Sequence, residues 1–188
     1  MILNDQTIKK YLDNEKIIIT PITPIQIQPS SIDLRLGNTI QTFTQNNNLY
    51  IDTHKDITPY TKQTIIPENN KLIIQPHEFL LASTKEYVKL PPNIVGRVEG
   101  RSSIGRLGLT VHVTAGYVDP GFEGNITLEI FNMNKLPIAI YPDQRICQLV
   151  LEELNEPALY PYGSEECGSK YQGQLGATVS RINNDPHI

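Results

Sequence analysis

Residues 114–131 read Thr114-Ala115-Gly116-Tyr117-Val118-Asp119-Pro120-Gly121-Phe122-Glu123-Gly124-Asn125-Ile126-Thr127-Leu128-Glu129-Ile130-Phe131. Asp-Pro-Gly is a strong turn signal, because proline presets one dihedral and glycine accepts the positive φ that follows. Two antiparallel strands are expected to flank it. In the second, the period is two: Ile126, Leu128 and Ile130 face one way, and Thr127, Glu129 and Phe131 the other. An apolar face backed by a polar one belongs to an antiparallel sheet laid over a core.

The same pattern extends in both directions. Ile32, Leu34 and Leu36 alternate with Asp33 and Arg35, and Gly37-Asn38 reads as a turn. Further strand-like runs fall at 71–75, 79–83, 94–98, 110–114, 125–131, 137–140 and 146–151, with Pro or Gly in nearly every gap. A single short helix precedes them, capped by Asn4 or Asp5, with Ile8, Tyr11 and Leu12 at helical spacing before Asn14. Many short strands spaced in this way predict a sandwich or jelly roll. Residues 41–70 are polar and rich in Asn and Thr, which predicts loop plus one weak strand. Neither a repeat nor a linker divides the chain, so residues 1–188 are read as one domain. From Tyr160 onward, Gly163, Gly168, Gly173 and Gly176 alternate with polar residues. Such a segment cannot build its own core, so 160–188 is expected to be a mobile arm that orders over the rest.

Composition narrows the function. Charged residues are 19%, below the usual ~25%, while 12 Gly and 14 Pro suit a turn-rich β protein. The net charge of −4 argues against duplex nucleic acid as a partner, since backbone binding needs a basic face. A few local cations can still hold a small anion. No apolar run approaches the ~20 residues of a membrane span, and Met1-Ile2-Leu3-Asn4-Asp5 is not the start of a signal peptide. Cys147 and Cys167 are expected as reduced thiols in a cytoplasmic protein, with a single bridge as the alternative.

Four groups of residues could carry chemistry. In Gly100-Arg101-Ser102-Ser103-Ile104-Gly105-Arg106, Ser102 or Ser103 is placed to cap a short helix. Two arginines and two hydroxyls around that terminus suit a phosphate; a capped helix with solvated arginines fits equally well. Glu129 shares its strand face with Thr127 and Phe131. A solvent-facing carboxylate is the plain reading, and a partly buried acid–base group the chemical one. Gln148, inside the apolar strand Ile146-Cys147-Gln148-Leu149, needs partners for its amide, either backbone or a nucleobase edge. Tyr162, Lys170 and Gln174 are the arm's natural ligand contacts, or simply part of a polar tail.

Absent patterns matter as much. Zinc-dependent base deaminases need a His-x-Glu and a Pro-Cys-x-x-Cys segment. Here His54, His77, His112 and His187 are scattered and the cysteines lie far apart, so no such zinc site is expected. Neither a Walker-type loop nor a Gly-x-Gly-x-x-Gly signature is present.

Taken in order, these segments resemble the dCTP deaminase branch of the dUTPase superfamily. Residues 100–109 look like its phosphate motif, 115–124 like its sugar-binding hairpin, and 145–149 like its base-proximal strand. Lys170-Tyr171-Gln172-Gly173-Gln174 looks like its closing arm, and Ser30-Ser31-Ile32-Asp33-Leu34-Arg35-Leu36-Gly37 fits its early strand. The resemblance implies a distorted, dUTPase-like jelly roll that forms a homotrimer with active sites between subunits. It places Arg101, Ser102, Ser103, Ile104, Gly105 and Arg106 around the phosphates and the reacting water. Asp119 would bind the deoxyribose 3′-hydroxyl. Thr127, Leu128 and Glu129 would line the base, a backbone carbonyl near Ala115 would help position the water, Gln148 would read the base edge, and Tyr162, Lys170 and Gln174 would close over the triphosphate. Magnesium would travel with the nucleotide.

Within the family, the resemblance implies that enzymes stopping at dUTP carry a His-Arg pair where this chain has Gly116-Tyr117. The expected enzyme is therefore the bifunctional one, converting dCTP to dUMP, ammonia and diphosphate. Glu129 would be its proton shuttle, aided by Arg106, Ser102 and Asp119. A deaminase releasing dUTP, a dUTPase, and a non-catalytic nucleotide-sensing trimer are the alternatives.

Overall fold

Helix α1 (Asp5–Asp13) starts where Asn4 turns extended and its side chain accepts the Thr7 N–H, so Asn4 is the cap and Asp5 opens the first turn. Ile8 is buried beneath it, and Tyr11 and Leu12 pack on the same core. The computed structural model describes residues 1–44 and 50–185. Positions 45–49 of the polar segment, and 186–188 with His187, lie outside the described residues.

The strands are β1 (Ile18–Thr20), β2 (Ile27–Gln28), β3 (Ser31–Phe43), β4 (Thr61–Ile65), β5 (Leu72–Ile74), β6 (Phe79–Lys89) and β7 (Ile94–Gly100). A one-turn helix α2 (Ser102–Gly105) follows. After it come β8 (Leu109–Thr110), β9 (Tyr117–Val118), β10 (Glu123–Asn132), β11 (Ile138–Ile140) and β12 (Arg145–Glu153). The fold is mainly β, as expected. One curled antiparallel sheet runs β8-β10-β6-β3-β12-β7-β9, with β1 on β6 and both β2 and β4 on β3; β5 and β11 pair separately.

Strand β3 makes the curl. Its first half pairs with β12, setting Ile32 opposite Leu149 and Leu34 opposite Cys147; its second half pairs with β4 and β6. The register shifts between Leu36 and Ile40. Gly37-Asn38 is thus not the turn read from the sequence but the place where one strand crosses between layers. Glycine is required there: a Cβ at 37 would lie 2.7 Å from Ser83 Oγ and 3.0 Å from the Ser83 carbonyl oxygen. Alternation buries Ile32, Leu34, Leu36, Leu128, Ile130 and Leu149 in one core, each contributing about 1.5–3 kcal/mol relative to exposure.

Three other expectations change. Among its described residues, segment 41–70 holds the end of β3 as well as β4, where one weak strand was expected. Run 110–114 is strand only at Leu109–Thr110. The Asp119-Pro120-Gly121 turn is real, with Phe122 N–H donating to Asp119 O at 3.1 Å and Gly121 at φ +91. Its flanking strands do not pair with each other, however, because β9 joins β7 while β10 joins β6 and β8. The turn carries the chain from one layer to the other.

Candidate active site

A cavity of about 930 Å³ opens beside this turn, large enough for a nucleotide-sized ligand. Strand β10 supplies Thr127 and Glu129, the segment ahead of the turn supplies Ala115 and Tyr117, and the turn supplies Asp119. The C-terminal segment closes it with Tyr162, Lys170 and Gln174. The two-residue period places Glu129 as expected. Leu128, one position earlier, is fully buried in the core on the opposite face. Its side chain therefore cannot line the cavity, contrary to expectation.

Glu129 is fixed by the loop that sequence reading assigned to a strand. Its Oε2 accepts the N–H groups of Val113 and Thr114 at 3.1 and 3.0 Å. Its Oε1 has no hydrogen-bond partner among the described residues. Asp119 stands exposed at the cavity edge, yet desolvation by the surrounding wall pushes its carboxyl above the usual aspartate range. Burial likewise pushes the Tyr162 hydroxyl up, while its oxygen accepts the Tyr171 N–H at 3.0 Å.

The C-terminal segment lies across the cavity. Tyr162 packs on Phe122 with ring centroids 5.9 Å apart. Gly173 N–H donates to Glu123 O at 2.7 Å, and Asn125 N–H to Gln174 O at 2.9 Å. Gly124 allows this approach, since at φ +145 it has no Cβ to meet the Gln174 oxygen. Further on, Thr178 N–H reaches Thr127 Oγ1 at 3.2 Å. Gln174 is buried with Nε2 donating to Asn125 O at 2.7 Å, while its Oε1 is buried without a partner. Such an oxygen costs about 1–3 kcal/mol until a donor reaches it. Lys170 Nζ sits 2.9 Å from Asp185, whose carboxylate raises the ammonium's pKa.

The remaining predicted residues lie elsewhere. Arg101, Ser102, Ser103, Ile104, Gly105, Arg106 and Gln148 do not line this cavity. Neither serine caps α2: the cap position is Arg101, and no side-chain cap bond forms. Ile104 is buried in the core, whereas Ser102, Ser103, Gly105 and Arg106 are exposed. Gln148 is satisfied within the chain, taking the Ser31 hydroxyl at 3.3 Å and donating to Gly100 O at 3.4 Å. It shares a sheet face with Asp33 and Glu99, its register partners on β3 and β7. A register shift between Arg145 and Cys147 puts Arg145 on that face too.

A family model described as dCTP deaminase-like matches residues 2–154. The chain belongs to the dCTP deaminase-like family. A relative in Methanosphaera stadtmanae named "dCTP deaminase, dUMP-forming" is 56% identical over 98% of this chain and 95% of its own. One of the same name in Methanobrevibacter smithii is 54% identical over 98% of this chain and 96% of its own. Among solved structures, a 2′-deoxycytidine 5′-triphosphate deaminase from Agrobacterium tumefaciens superposes with a TM-score of 0.65 at 21% identity. It covers 81% of this chain, which spans 48% of that longer one. That likeness speaks to the fold.

Two features of this family member escaped the sequence. His112, counted there only as a scattered histidine, lies against Gly116, and its Nδ1 is buried without a partner. A Cβ at 116 would approach the ring to 3.2 Å and Val98 O to 2.9 Å. Asp33 was read only as the polar half of an alternation, yet it is buried between Arg101 and Arg145. Among the described residues, no three His, Cys, Asp or Glu side chains converge as metal ligands. None of the described helices is long and apolar enough to cross a membrane.

Proposed function

We propose that this chain is a bifunctional dCTP deaminase, hydrolysing dCTP with two waters to dUMP, ammonia and diphosphate. The observation that carries the reading is the Glu129 cavity. One carboxylate oxygen is pinned by two amides and the other is unbonded, beside Thr127, Asp119 and the unsatisfied Gln174 oxygen. Relatives above 50% identity bearing the dUMP-forming name support it.

Water attacks C4 of the cytosine and gives a proton to Glu129 as the C–O bond forms. Glu129 passes protons to the ring nitrogen and the amino group, and the C4–N bond breaks to release ammonia. A second water then attacks the α-phosphorus and gives its proton to Asp119, and diphosphate leaves with the electrons of the P–O bond. Asp119 takes the 3′-hydroxyl and orients this second water, while Arg106 and Ser102 hold the first. Gly116 lets the loop pack closely on Val98 O and His112, which seats Ala115 and Tyr117 at the cavity where both waters act. Gln148 reads the base edge. Tyr162, Lys170 and Gln174 act as a lid within a single domain spanning 1–188, the lid being 160–188.

The cavity and the α2 arginines are separate groups in one chain, so the complete site is assigned to a homotrimer in which one copy's α2 faces another's cavity. The donor set fits magnesium brought by the triphosphate oxygens better than magnesium held by side chains, since no three His, Cys, Asp or Glu side chains among the described residues are close enough together to ligate one ion. Bound there, it would offset phosphate charge. We place the enzyme in the cytoplasm, with dCTP as its small-molecule partner and neither nucleic acid nor membrane. Incubation with dCTP and magnesium, followed by chromatography, tests the reading. Equal ammonia, dUMP and diphosphate are expected; dUTP as end product would leave a deaminase only, and no ammonia would refute the enzyme.

A further inference from the structure

Asp33 lies near the start of β3 with 2% of its surface exposed. A carboxylate so far from water costs several kcal/mol unless opposite charges compensate it. Its Oδ2 has two such partners, Arg145 Nη1 at 3.0 Å and Arg101 Nε at 3.2 Å. The arginines are joined in turn, because Arg101 Nη1 donates to the Arg145 carbonyl oxygen at 3.1 Å. Arg145 Nη1 also reaches Ile25 O at 3.2 Å. The Arg101 guanidinium is thus held at Nε by Asp33 of β3 and at Nη1 by the Arg145 carbonyl of β12, while Nη2 has no bond among the described residues.

This grip lies outside α2, whose cap residue is Arg101 and which has no side-chain cap of its own. We propose that Asp33 is a positioning residue: it fixes the Arg101 guanidinium so that its unbonded Nη2 group is presented to the triphosphate. The proposal rests on the proposed function and on the phosphate role that the family resemblance implies for Arg101. Two guanidinium groups sharing one carboxylate oxygen repel each other when that charge is removed, so Arg101 should swing away from Arg145 in its absence. The sheet does not need the charge, because the β3–β12 ladder and the separate buried pair of Glu86 with Arg35 remain.

The test measures Kd by calorimetry for α,β-imido-dUTP and for dUMP on D33N, D33E, R101Q and the double variant D33N/R101Q. D33N should weaken the triphosphate analogue by about 10- to 100-fold and dUMP by less than about 3-fold. D33E, which keeps the charge, should stay within about 5-fold of wild type for both. Because Asp33 acts through Arg101, D33N should add less than about 2-fold on top of R101Q. If R101Q leaves analogue affinity unchanged, the phosphate role of Arg101 is wrong and this proposal falls with it. If R101Q weakens binding but D33N does not, or if D33N adds its full loss to R101Q, only the positioning role is refuted. Failure of both D33N and D33E to fold would make Asp33 a fold determinant and equally overturn the proposal.

Discussion

Glu129→Gln separates chemistry from architecture. Oε2 holds the 111–116 loop by accepting two N–H groups, while Oε1 has no partner among the described residues. Glutamine keeps an sp² oxygen where Oε2 stood, so both amides retain an acceptor. The bonds weaken because bonds to a charged group contribute roughly 1.5–3 kcal/mol and neutral ones about 0.5–1.5. Partial exposure reduces the difference, leaving about 1 kcal/mol, or about 2–4 °C in Tm for a chain of this size. What disappears entirely is the proton acceptor proposed for deamination. Turnover should therefore fall by about 10²–10⁴-fold, or about 2.7–5.4 kcal/mol of transition-state stabilisation. KM for dCTP should stay within about 3-fold, since the cavity wall is preserved.

Glu129→Ala is the contrasting variant. It strands the Val113 and Thr114 amides, so it should raise KM by about 10-fold in addition to the loss in turnover. Ammonia release under single-turnover conditions, measured beside thermal unfolding, distinguishes the two. Ammonia release by E129Q within about 5-fold of wild type would refute the proton-shuttle assignment. Equal KM penalties in the two variants would refute the structural half of the argument.

Other outcomes follow from the same geometry. The folded chain binds the Asp119 proton more tightly than the unfolded chain does, because desolvation raises its pKa. That contribution to stability is present below the unfolded value and is lost as pH rises through the folded one. Asp119→Asn should therefore melt higher than wild type at pH 7 and lose that advantage in acid, while kcat/KM falls; unchanged melting curves at both pH values would contradict it. Cys167 is exposed at the cavity, whereas Cys147 is buried and its thiol pushed up by burial. One thiol should react with a maleimide in the native protein and be slowed by α,β-imido-dUTP with magnesium, and labelling of Cys147 instead would count against the model. Gly116→Ala puts a Cβ 2.9 Å from Val98 O, so the loop must shift. A cost of about 1–3 kcal/mol and a fall in turnover are expected, and an alanine variant with wild-type Tm and rate would show that the site has slack. Deleting 160–188 should do more than remove a lid: Gln174 and Ala177 are buried and Tyr162 packs on the core, so a clear drop in Tm should accompany lost nucleotide affinity.

How far the sequence could be read depended on whether a residue's role is set by its neighbours along the chain. Strand β10 is regular, so period two alone put Glu129 and Thr127 on one face and Leu128 in the core. The same rule already placed Leu128 opposite them, and only the resemblance had put it beside the base. Gly37-Asn38 has the composition of a turn, but its reason is Ser83, 46 positions away, whose hydroxyl occupies the space a side chain would need. Ser102 and Ser103 look like caps because hydroxyls are common there, yet α2 begins one residue earlier. Arg145 and Gln148 differ by three, which on a regular strand means opposite faces; a register shift puts both beside Asp33. Long-range contacts and bulges leave no periodic trace, so the polar cluster around Asp33 could not be read from the sequence.

The charge of the cavity explains why the predicted site comes in two parts. Asp119, Glu129, Glu166 and Asp185 line it against a single lysine, Lys170. That surroundings suits water activation and a sugar hydroxyl, but not a triphosphate, whose like charge such a wall repels. The cations proposed to offset it, Arg101 and Arg106 at the two ends of α2, lie outside this cavity. Placing acids and cations apart lets each be held by its own partners: Glu129 by two amides, Arg101 by Asp33. Had Arg101 or Arg106 folded into the cavity of its own chain, Glu129 or Asp119 would have become its ion-pair partner, and the free oxygen needed for proton transfer would have been taken. In the proposed homotrimer the cations would reach this acidic wall from a second copy, and that separation of charge is the physical argument for assigning the activity to an oligomer.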